Sequence, residues 1–140
     1  MVSTKGRYAL RVMIDLAEHD RNGYIPMREV AARQGISLKY LERILPALVS
    51  AHLVEGIHGK GGGYRLTASP SEYTVGQILR LTEGNIAPVA CLGECNTDSC
   101  GREDDCRTLP MWKELNSRIA DYVDHVTLAD LMDKGLSEKV

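Results

Sequence analysis

Four cysteines lie within sixteen residues of this 140-residue chain, and the chain has no other cysteine. They follow the spacing C-x3-C-x4-C-x5-C and are Cys91, Cys95, Cys100 and Cys106. Thiolates bind both zinc and iron–sulfur clusters, so the residue type alone does not separate the two. Structural zinc sites usually have closely paired cysteines, whereas thiolates on a polar, glycine-containing loop favour an iron–sulfur cluster. Zinc and redox-active thiols remain the alternatives.

The composition is typical of one globular domain, with 44% hydrophobic and 26% charged residues. No apolar run approaches the ~18 residues of a membrane span. The first twenty residues interleave charges with apolar residues and lack the apolar stretch of a signal peptide. We therefore expect a cytoplasmic protein, in which disulfides within the cysteine loop are a poor first hypothesis.

The net charge of -2 conceals an asymmetry. Residues 1–66 carry ten Lys and Arg against six Asp and Glu (+4), and residues 67–140 carry seven against thirteen (-6). A basic front half and an acidic back half indicate different partners for the two halves.

The front half has the order of a helix-turn-helix. A first helix is predicted from the apolar periodicity of GRYALRVMIDLAEHD. Pro26 opens a short second helix, which Gly35 ends as a left-handed C-cap. Ser37 is a good N-cap for a longer third helix, in which Pro46 predicts a kink or an early end.

The segment LVEGIHGKGGGYRLT predicts a β-hairpin, with strands at 53–57 and 64–66 around a glycine-rich turn. A hairpin directly after a helix-turn-helix is the pattern of a wing. The Gly59-Lys60 pair lacks the rest of the phosphate-binding motif G-x-x-x-x-G-K-[ST]. Backbone amides that approach a DNA phosphate are the better interpretation of these glycines.

A winged helix-turn-helix predicts binding to double-stranded DNA, with the third helix in the major groove. The candidates for base contacts lie off its apolar face and are Ser37, Lys39, Tyr40, Glu42 and Arg43. Glu42 can accept from a cytosine amino group. The candidates for phosphate contacts are Arg7, Arg11, Arg28 and Lys60. Each alone is an ordinary solvated charge, so the hypothesis depends on the order of the motifs.

The back half predicts a dimer. Thr74 begins a capping box for a helix that Gly84 closes, and Thr127 caps a last short helix. Between them, apolar residues after the cysteine loop have heptad spacing, and they are Trp112, Leu115, Ile119, Tyr122 and Val126. This seam favours a homodimer over an amphipathic helix that lies on its own domain.

The sequence thus predicts a mainly α fold: a winged helix-turn-helix with a β-hairpin wing, a cysteine loop and a long C-terminal dimerisation helix. We divide it into a DNA-binding domain at 1–83, a cluster-binding loop at 84–110, and a dimerisation helix with a C-terminal helix at 111–140. The four histidines are scattered and no nucleophile–base pair is indicated, so an enzyme is not expected.

The chain resembles the IscR-type branch of the Rrf-type winged-helix family of bacterial transcriptional regulators. The resemblance rests on STKGRYALRVMIDLA, ARQGISLKYLERIL and GKGGGYRL, then the cysteine loop before Trp112, and TLADLM. It implies a homodimer in which the two chains contact each other through the helix after the loop. It also implies a repressor of iron–sulfur assembly genes whose cluster, with 2Fe-2S favoured and 4Fe-4S as the alternative, changes which DNA is bound.

The resemblance assigns cluster ligands unevenly. Cys91, Cys100 and Cys106 match the three cysteines of that branch, whereas Cys95 is additional. The histidine ligand of the branch falls at Leu109 and is missing. Cys95 is therefore the leading candidate for the fourth ligand. A ligand from the partner chain is an alternative, as is a carboxylate of Glu103, Asp104 or Asp105.

Two further positions separate the branches of this family. Nitric-oxide sensors carry an acidic residue where this chain has Arg7, and the cysteine-metabolism branch generally lacks the cluster cysteines. His58-Gly59 stands where family wings often have Arg-Gly, so the minor-groove arginine is missing and the target sequence does not carry over from the family; histidine can still enter a narrow A·T minor groove. Regulation of cysteine metabolism, a nitric-oxide or redox response, and a zinc-structured DNA-binding protein remain the alternative functions.

Overall fold

The computed structural model describes residues 2–20, 23–92 and 105–132 of the chain. In these described residues, six α-helices and one hairpin follow in the order α1 (Thr4–Glu18), α2 (Met27–Gln34), α3 (Leu38–Ser50), β1 (Val54–Ile57), β2 (Gly63–Leu66), α4 (Val75–Glu83), α5 (Leu109–Asp124) and α6 (Leu128–Met132). Short 3-10 turns lie at Pro70–Glu72 and Ala90–Leu92. The mainly helical winged fold is confirmed.

The predicted helix ends are confirmed by their hydrogen bonds. The backbone N–H of Tyr40 donates to Ser37 Oγ at 3.1 Å, and Gly35 has the left-handed conformation at φ 64°. The backbone N–H of Gln77 donates to Thr74 Oγ1 at 3.1 Å. These local signals place the turn between α2 and α3 and the start of α4.

Of the two outcomes predicted for Pro46, the early end is wrong, because α3 continues for four residues beyond it to Ser50, and the kink stays a prediction. Proline removes the hydrogen bond to the carbonyl of Glu42. Both residues are exposed, so water can satisfy that carbonyl. The helix therefore tolerates the proline without an early end.

The wing is a two-stranded antiparallel hairpin in which Val54 pairs with Leu66 and Ile57 with Gly63. Ile25 adds one isolated bridge to Tyr64, with both backbone bonds at 2.9 Å. A Cβ at Gly63 would collide with the Ile25 carbonyl. Glycine at this position therefore lets the wing lie against the segment that leads into α2.

One apolar core joins α1, α2, α3, the hairpin and α4. Its fully buried members include Met13, Leu41, Ile44 and Ile78. Leu128 of α6 is also fully buried in this core, and α6 contacts α1. The last described helix therefore packs on the winged module, although it follows α5 in the chain.

A buried ion pair ties α1 to α2. The Asp15 carboxylate is fully buried, and it accepts from Arg33 at 2.6 Å and from Gln34 Nε2 at 2.8 Å. Burial acts to raise the pKa of Asp15, but the hydrogen bonds from Arg33 and Gln34 outweigh it, so the pKa lies below its ordinary value.

We expect Asp15→Asn to lower the free energy of unfolding at pH 7 by about 2–3 kcal/mol, because the negative charge opposite Arg33 is lost and an NH2 group replaces one of the two oxygens that accept from Arg33 and Gln34. A carboxyl whose folded pKa is lowered contributes stability that is present above its unfolded pKa and is lost as the pH falls through the folded pKa. The difference between the two proteins should therefore shrink below about pH 4. Urea unfolding at several pH values measures it. Glu29→Gln, which removes an exposed pair with Arg33 at 3.8 Å, is the control and should cost under about 0.5 kcal/mol.

Candidate nucleic-acid interface and cysteine loop

The first half of α3 presents most of its predicted base-contacting residues to solvent. Ser37, Lys39, Glu42 and Arg43 are exposed. The Ser37 oxygen accepts the capping bond from Tyr40, so its O–H remains available as a donor. Lys39, Glu42 and Arg43 form no ion pair with any described residue.

Tyr40 differs from these neighbours because its side chain is only partly exposed and packs against α1. Its half-buried ring meets the ring of Tyr8 edge-on, with centroids 5.3 Å apart. This contact sets α3 against α1. The Tyr40 ring therefore serves mainly to orient α3. The sequence predicts a base contact for Tyr40 and does not indicate this packing role.

The side chains predicted to contact phosphates differ in whether they already have a partner within the described chain. Arg7, Arg28 and Lys60 are exposed and form no ion pair with the described part of the chain. Arg11 was predicted with them, but its guanidinium donates to the Gln34 carbonyl and side chain and lies over the Tyr8 ring. The Arg11 side chain thus joins α1 to the end of α2, and its contact with a phosphate stays a prediction.

The wing tip carries the remaining predicted contacts, since His58, Gly59 and Lys60 are all exposed. Gly59 has φ 97° and Gly61 has φ 80°, which favour glycine at both positions. A Cβ at Gly62 would lie 2.5 Å from the Ile57 carbonyl oxygen. The glycines therefore build a tight tip that holds one histidine and one lysine out in solvent.

A single phenol fastens the base of the wing, and sequence patterns did not indicate it. The hydroxyl of buried Tyr73 donates to the Leu53 carbonyl at 2.8 Å. It accepts from the backbone N–H groups of Thr67 and Ala68, each at 3.0 Å. These bonds hold the entry and the exit of the hairpin to the segment before α4.

We expect Tyr73→Phe to lower the free energy of unfolding by about 1–2 kcal/mol, because the carbonyl of buried Leu53 and the N–H groups of Thr67 and Ala68 each lose a hydrogen-bond partner. Hydrogen exchange should speed up at the amides of Thr67 and Ala68 ahead of the helices. Tyr24→Phe is a matched control, since the described residues offer no hydrogen bond to the Tyr24 hydroxyl. Equal exchange rates in the Tyr73 variant and the wild type would contradict this role.

A carboxylate at the end of α4 holds the start of α1. Glu83 Oε1 accepts from the backbone N–H and Oγ of Ser3 at 2.8 and 2.7 Å, and from the N–H of Gly6 at 2.8 Å. Partial burial acts to raise the pKa of Glu83, but these bonds outweigh it and lower the pKa. A Cβ at Gly6 would lie 2.5 Å from this oxygen. The segment between α4 and the cysteines therefore begins at Glu83, which is hydrogen-bonded to the start of α1.

Both ends of the cysteine loop lie beside α5. Cys91 is in the 3-10 turn at Ala90–Leu92, which contacts α5, and Cys106 lies three residues before α5 begins at Leu109. Both thiols are free and half-buried. Cys95 and Cys100, with Glu103 and Asp104, lie outside the described residues, and Asp105 is exposed.

The Cys106 thiol has a polar setting. Its sulfur lies 3.3 Å from Thr108 Oγ1, and hydrogen bonds from the Thr108 side chain and backbone lower the pKa of Cys106. A lowered pKa favours the thiolate, which is the form that binds metals. Within residues 2–20, 23–92 and 105–132, no group of three or more His, Cys, Asp or Glu is placed to hold a metal ion.

Some apolar residues of helix α5 pack inward on the same chain and others are exposed to solvent. The predicted heptad seam included residues of both kinds. Ile119 and Val123 pack inward on a cluster of Val75, Leu79 and Ile86. Leu115 and Tyr122 are exposed, as is Met111, at 40%, 52% and 52%; Trp112 is half-buried. Although all of α5 is described, none of its residues is buried.

The prediction for Val126 needs correction. It lies beyond the end of α5 at Asp124, is only 5% exposed and packs with Val75 and Leu79 of its own chain. Because α5 ends before Val126, the heptad spacing no longer sets the direction of this side chain, and its contacts with α4 do so instead. We define the outer face of α5 as Met111, Leu115 and Tyr122.

A helix-turn-helix with unpaired cations, followed by a hairpin wing that carries His58 and Lys60, defines the class of winged helix-turn-helix DNA-binding proteins. Comparison with known proteins gives the family. Residues 2–134 match Rrf2, described as an iron-dependent transcriptional regulator. The chain belongs to this family and is a DNA-binding transcriptional regulator, not an enzyme.

Several relatives are similar over most of their length. The HTH-type transcriptional regulator IscR of Aliivibrio salmonicida is 37% identical over 131 residues, which cover 94% of this chain and 76% of that protein. The solved structure of T. potens IscR has a TM-score of 0.75 at 32% identity and covers 100% of this chain and 91% of its own. CymR, the global cysteine regulator of B. subtilis, has a TM-score of 0.76 at 34% identity, with 96% and 97% covered. No helix in the described part of the chain is long and apolar enough to cross a bilayer.

Proposed function

We propose that this regulator holds an iron–sulfur cluster with Cys91, Cys95, Cys100 and Cys106, and that the cluster controls which DNA it binds. The observation that carries the proposal is the donor set. Four thiols lie within sixteen residues, and the two described ones are free and lie at the ends of a loop whose ends adjoin α5. This donor set fits a cluster held entirely by cysteine.

The proposal extends to two chains and to the DNA contacts. A second copy covers the outer face of α5, because exposed apolar residues on one helix face favour association. Each chain then contributes Ser37, Lys39, Glu42 and Arg43 to the major groove, with Tyr40 behind them. His58, Gly59 and Lys60 approach the minor groove, and Arg7 and Arg28 contact phosphates.

Control of DNA binding follows from the place of the loop. Ligation by all four cysteines would link the segment after α4 to the segment before α5, and α4 is bonded through Glu83 to the start of α1. A changed loop therefore shifts the separation of the two α3 helices in a dimer, and the spacing of half-sites responds to that separation. The bound cluster supplies electron transfer and sensitivity to oxidants. Its type is proposed as 2Fe-2S, with 4Fe-4S as the alternative, and the regulated genes as those of iron–sulfur assembly.

Purification without oxygen tests the proposal. We expect a coloured protein with matched iron and sulfide, and the ratio per chain separates 2Fe-2S from 4Fe-4S. Protein that contains the cluster and protein from which the cluster has been removed should select different sequences from a pool of random DNA duplexes. A colourless protein with one zinc per chain would support a zinc-structured DNA-binding protein and would overturn the cluster.

A second candidate function is regulation of cysteine metabolism. The fold similarity to CymR, with a TM-score of 0.76, is close to the similarity to T. potens IscR, with a TM-score of 0.75. In that case the protein should contain neither iron nor sulfide, and its choice of DNA should not change when chelators are added.

A further inference from the structure

Exposed large apolar side chains occur in three places in the described residues. Val2 is one, the outer face of α5 is the second, and the third is a groove between α3 and the wing. Leu38, Val49 and Ile57 line this groove at 43%, 38% and 47% exposure. Its volume is about 390 Å³. Three exposed apolar residues around one groove indicate a ligand with apolar surface of its own.

The charge of the groove restricts that ligand. Arg28 and His58 line it together with backbone of the glycine-rich tip, and no acidic side chain is among its described lining residues. Neither side chain has an ion-pair partner in the described chain. The groove thus combines apolar surface with the unpaired positive charge of Arg28 and a histidine ring that can form hydrogen bonds, which suits a DNA strand with its deoxyribose rings and phosphates.

Leu38 is the apolar residue best placed to reach a base. It is the first residue of α3, and the first residues of a recognition helix contact base edges. The one apolar group that base edges present in the major groove is the methyl group of thymine. The sequence pattern singled out the polar neighbours of Leu38 and passed over Leu38 itself.

We propose that the groove between α3 and the wing takes one strand of duplex DNA, and that Leu38 selects a thymine by contact with its methyl group. This inference rests on DNA binding through α3. It adds an apolar specificity contact to the polar contacts of that helix, and it assigns Val49 and Ile57 to the sugar surface of the same strand.

Replacement of thymine by uracil tests the contact, because it removes only the methyl group. A duplex is first selected by the wild-type protein from a random pool, and each thymine is then replaced in turn. At one thymine per half-site we expect about a fourfold loss of affinity, corresponding to one buried methyl group. Leu38→Ser should bind the thymine and uracil duplexes equally. Lys39→Ser is the matched control, which should weaken both alike and keep their ratio.

Three results would overturn the proposal. Wild-type protein that selects a sequence but ignores uracil at every position leaves DNA binding intact and removes the role of Leu38. Protein that selects no sequence removes both this inference and DNA binding through α3. A change of oligomeric state in Leu38→Ser, measured by light scattering, would assign the groove to a second copy instead. Leu38→Ala provides a second variant with high helix propensity if the serine variant unfolds.

Discussion

Leu115→Arg is expected to convert the proposed dimer to a monomer and to weaken binding to a two-half-site duplex by at least about 100-fold. Leu115 is exposed at the middle of the outer face of α5, between Met111 and Tyr122. A two-fold interface brings the same surface of both chains together, so each arginine would approach its own copy in an apolar contact. Each half-site would then be bound by a separate monomer, because binding of the first would no longer hold a second copy next to the other half-site.

Light scattering at several protein concentrations measures the change of mass, and fluorescence anisotropy measures the affinity for DNA. Ser117→Arg is the matched control, because Ser117 is exposed on the same helix but about 160° away from Leu115 at 100° per residue. It adds the same charge and should remain a dimer. A dimeric Leu115→Arg protein would show that the outer face of α5 is not the contact.

Cys106→Ala is expected to remove the proposed cluster while the winged domain stays folded. Loss of a ligand should lower cluster affinity by more than the roughly 10–100-fold that follows loss of a supporting residue. The fold should persist because Cys106 lies outside both apolar clusters of the described residues. Iron and sulfide per chain, with the visible spectrum, measure the loss, and circular dichroism measures the fold.

The fourth ligand can be separated by a matched pair of variants. If Cys95 is the ligand, Cys95→Ala loses the cluster and Asp105→Asn retains it. The reverse outcome would assign the fourth position to the exposed carboxylate of Asp105. A Cys106→Ala protein with a full content of iron and sulfide would contradict the whole ligand assignment.

Features that depend on a few neighbouring residues were predictable from sequence. Ser37 caps α3 and Gly35 takes the left-handed conformation, because both effects arise within one turn of backbone. The hairpin likewise follows from β-capable residues around four nearby glycines. Together with their order along the chain, these signals determined the winged helix-turn-helix.

Features that depend on distant residues were decided by the tertiary structure. Tyr73 bonds Leu53, twenty residues earlier, and Glu83 bonds Ser3, eighty residues earlier, and no local pattern encodes such pairs. Arg11 matched the free arginines in type and spacing until its contact with Gln34 was known.

The same distinction applies to the two apolar surfaces. The sequence by itself determined that α5 is amphipathic and that α3 carries polar residues near its start. Only packing decided that Val126 is buried in its own chain and that Leu38 is exposed in a groove. The physical reason is that hydrophobicity measures the cost of exposure to water, whereas the partner that removes the exposure is set by the arrangement of elements distant in the chain.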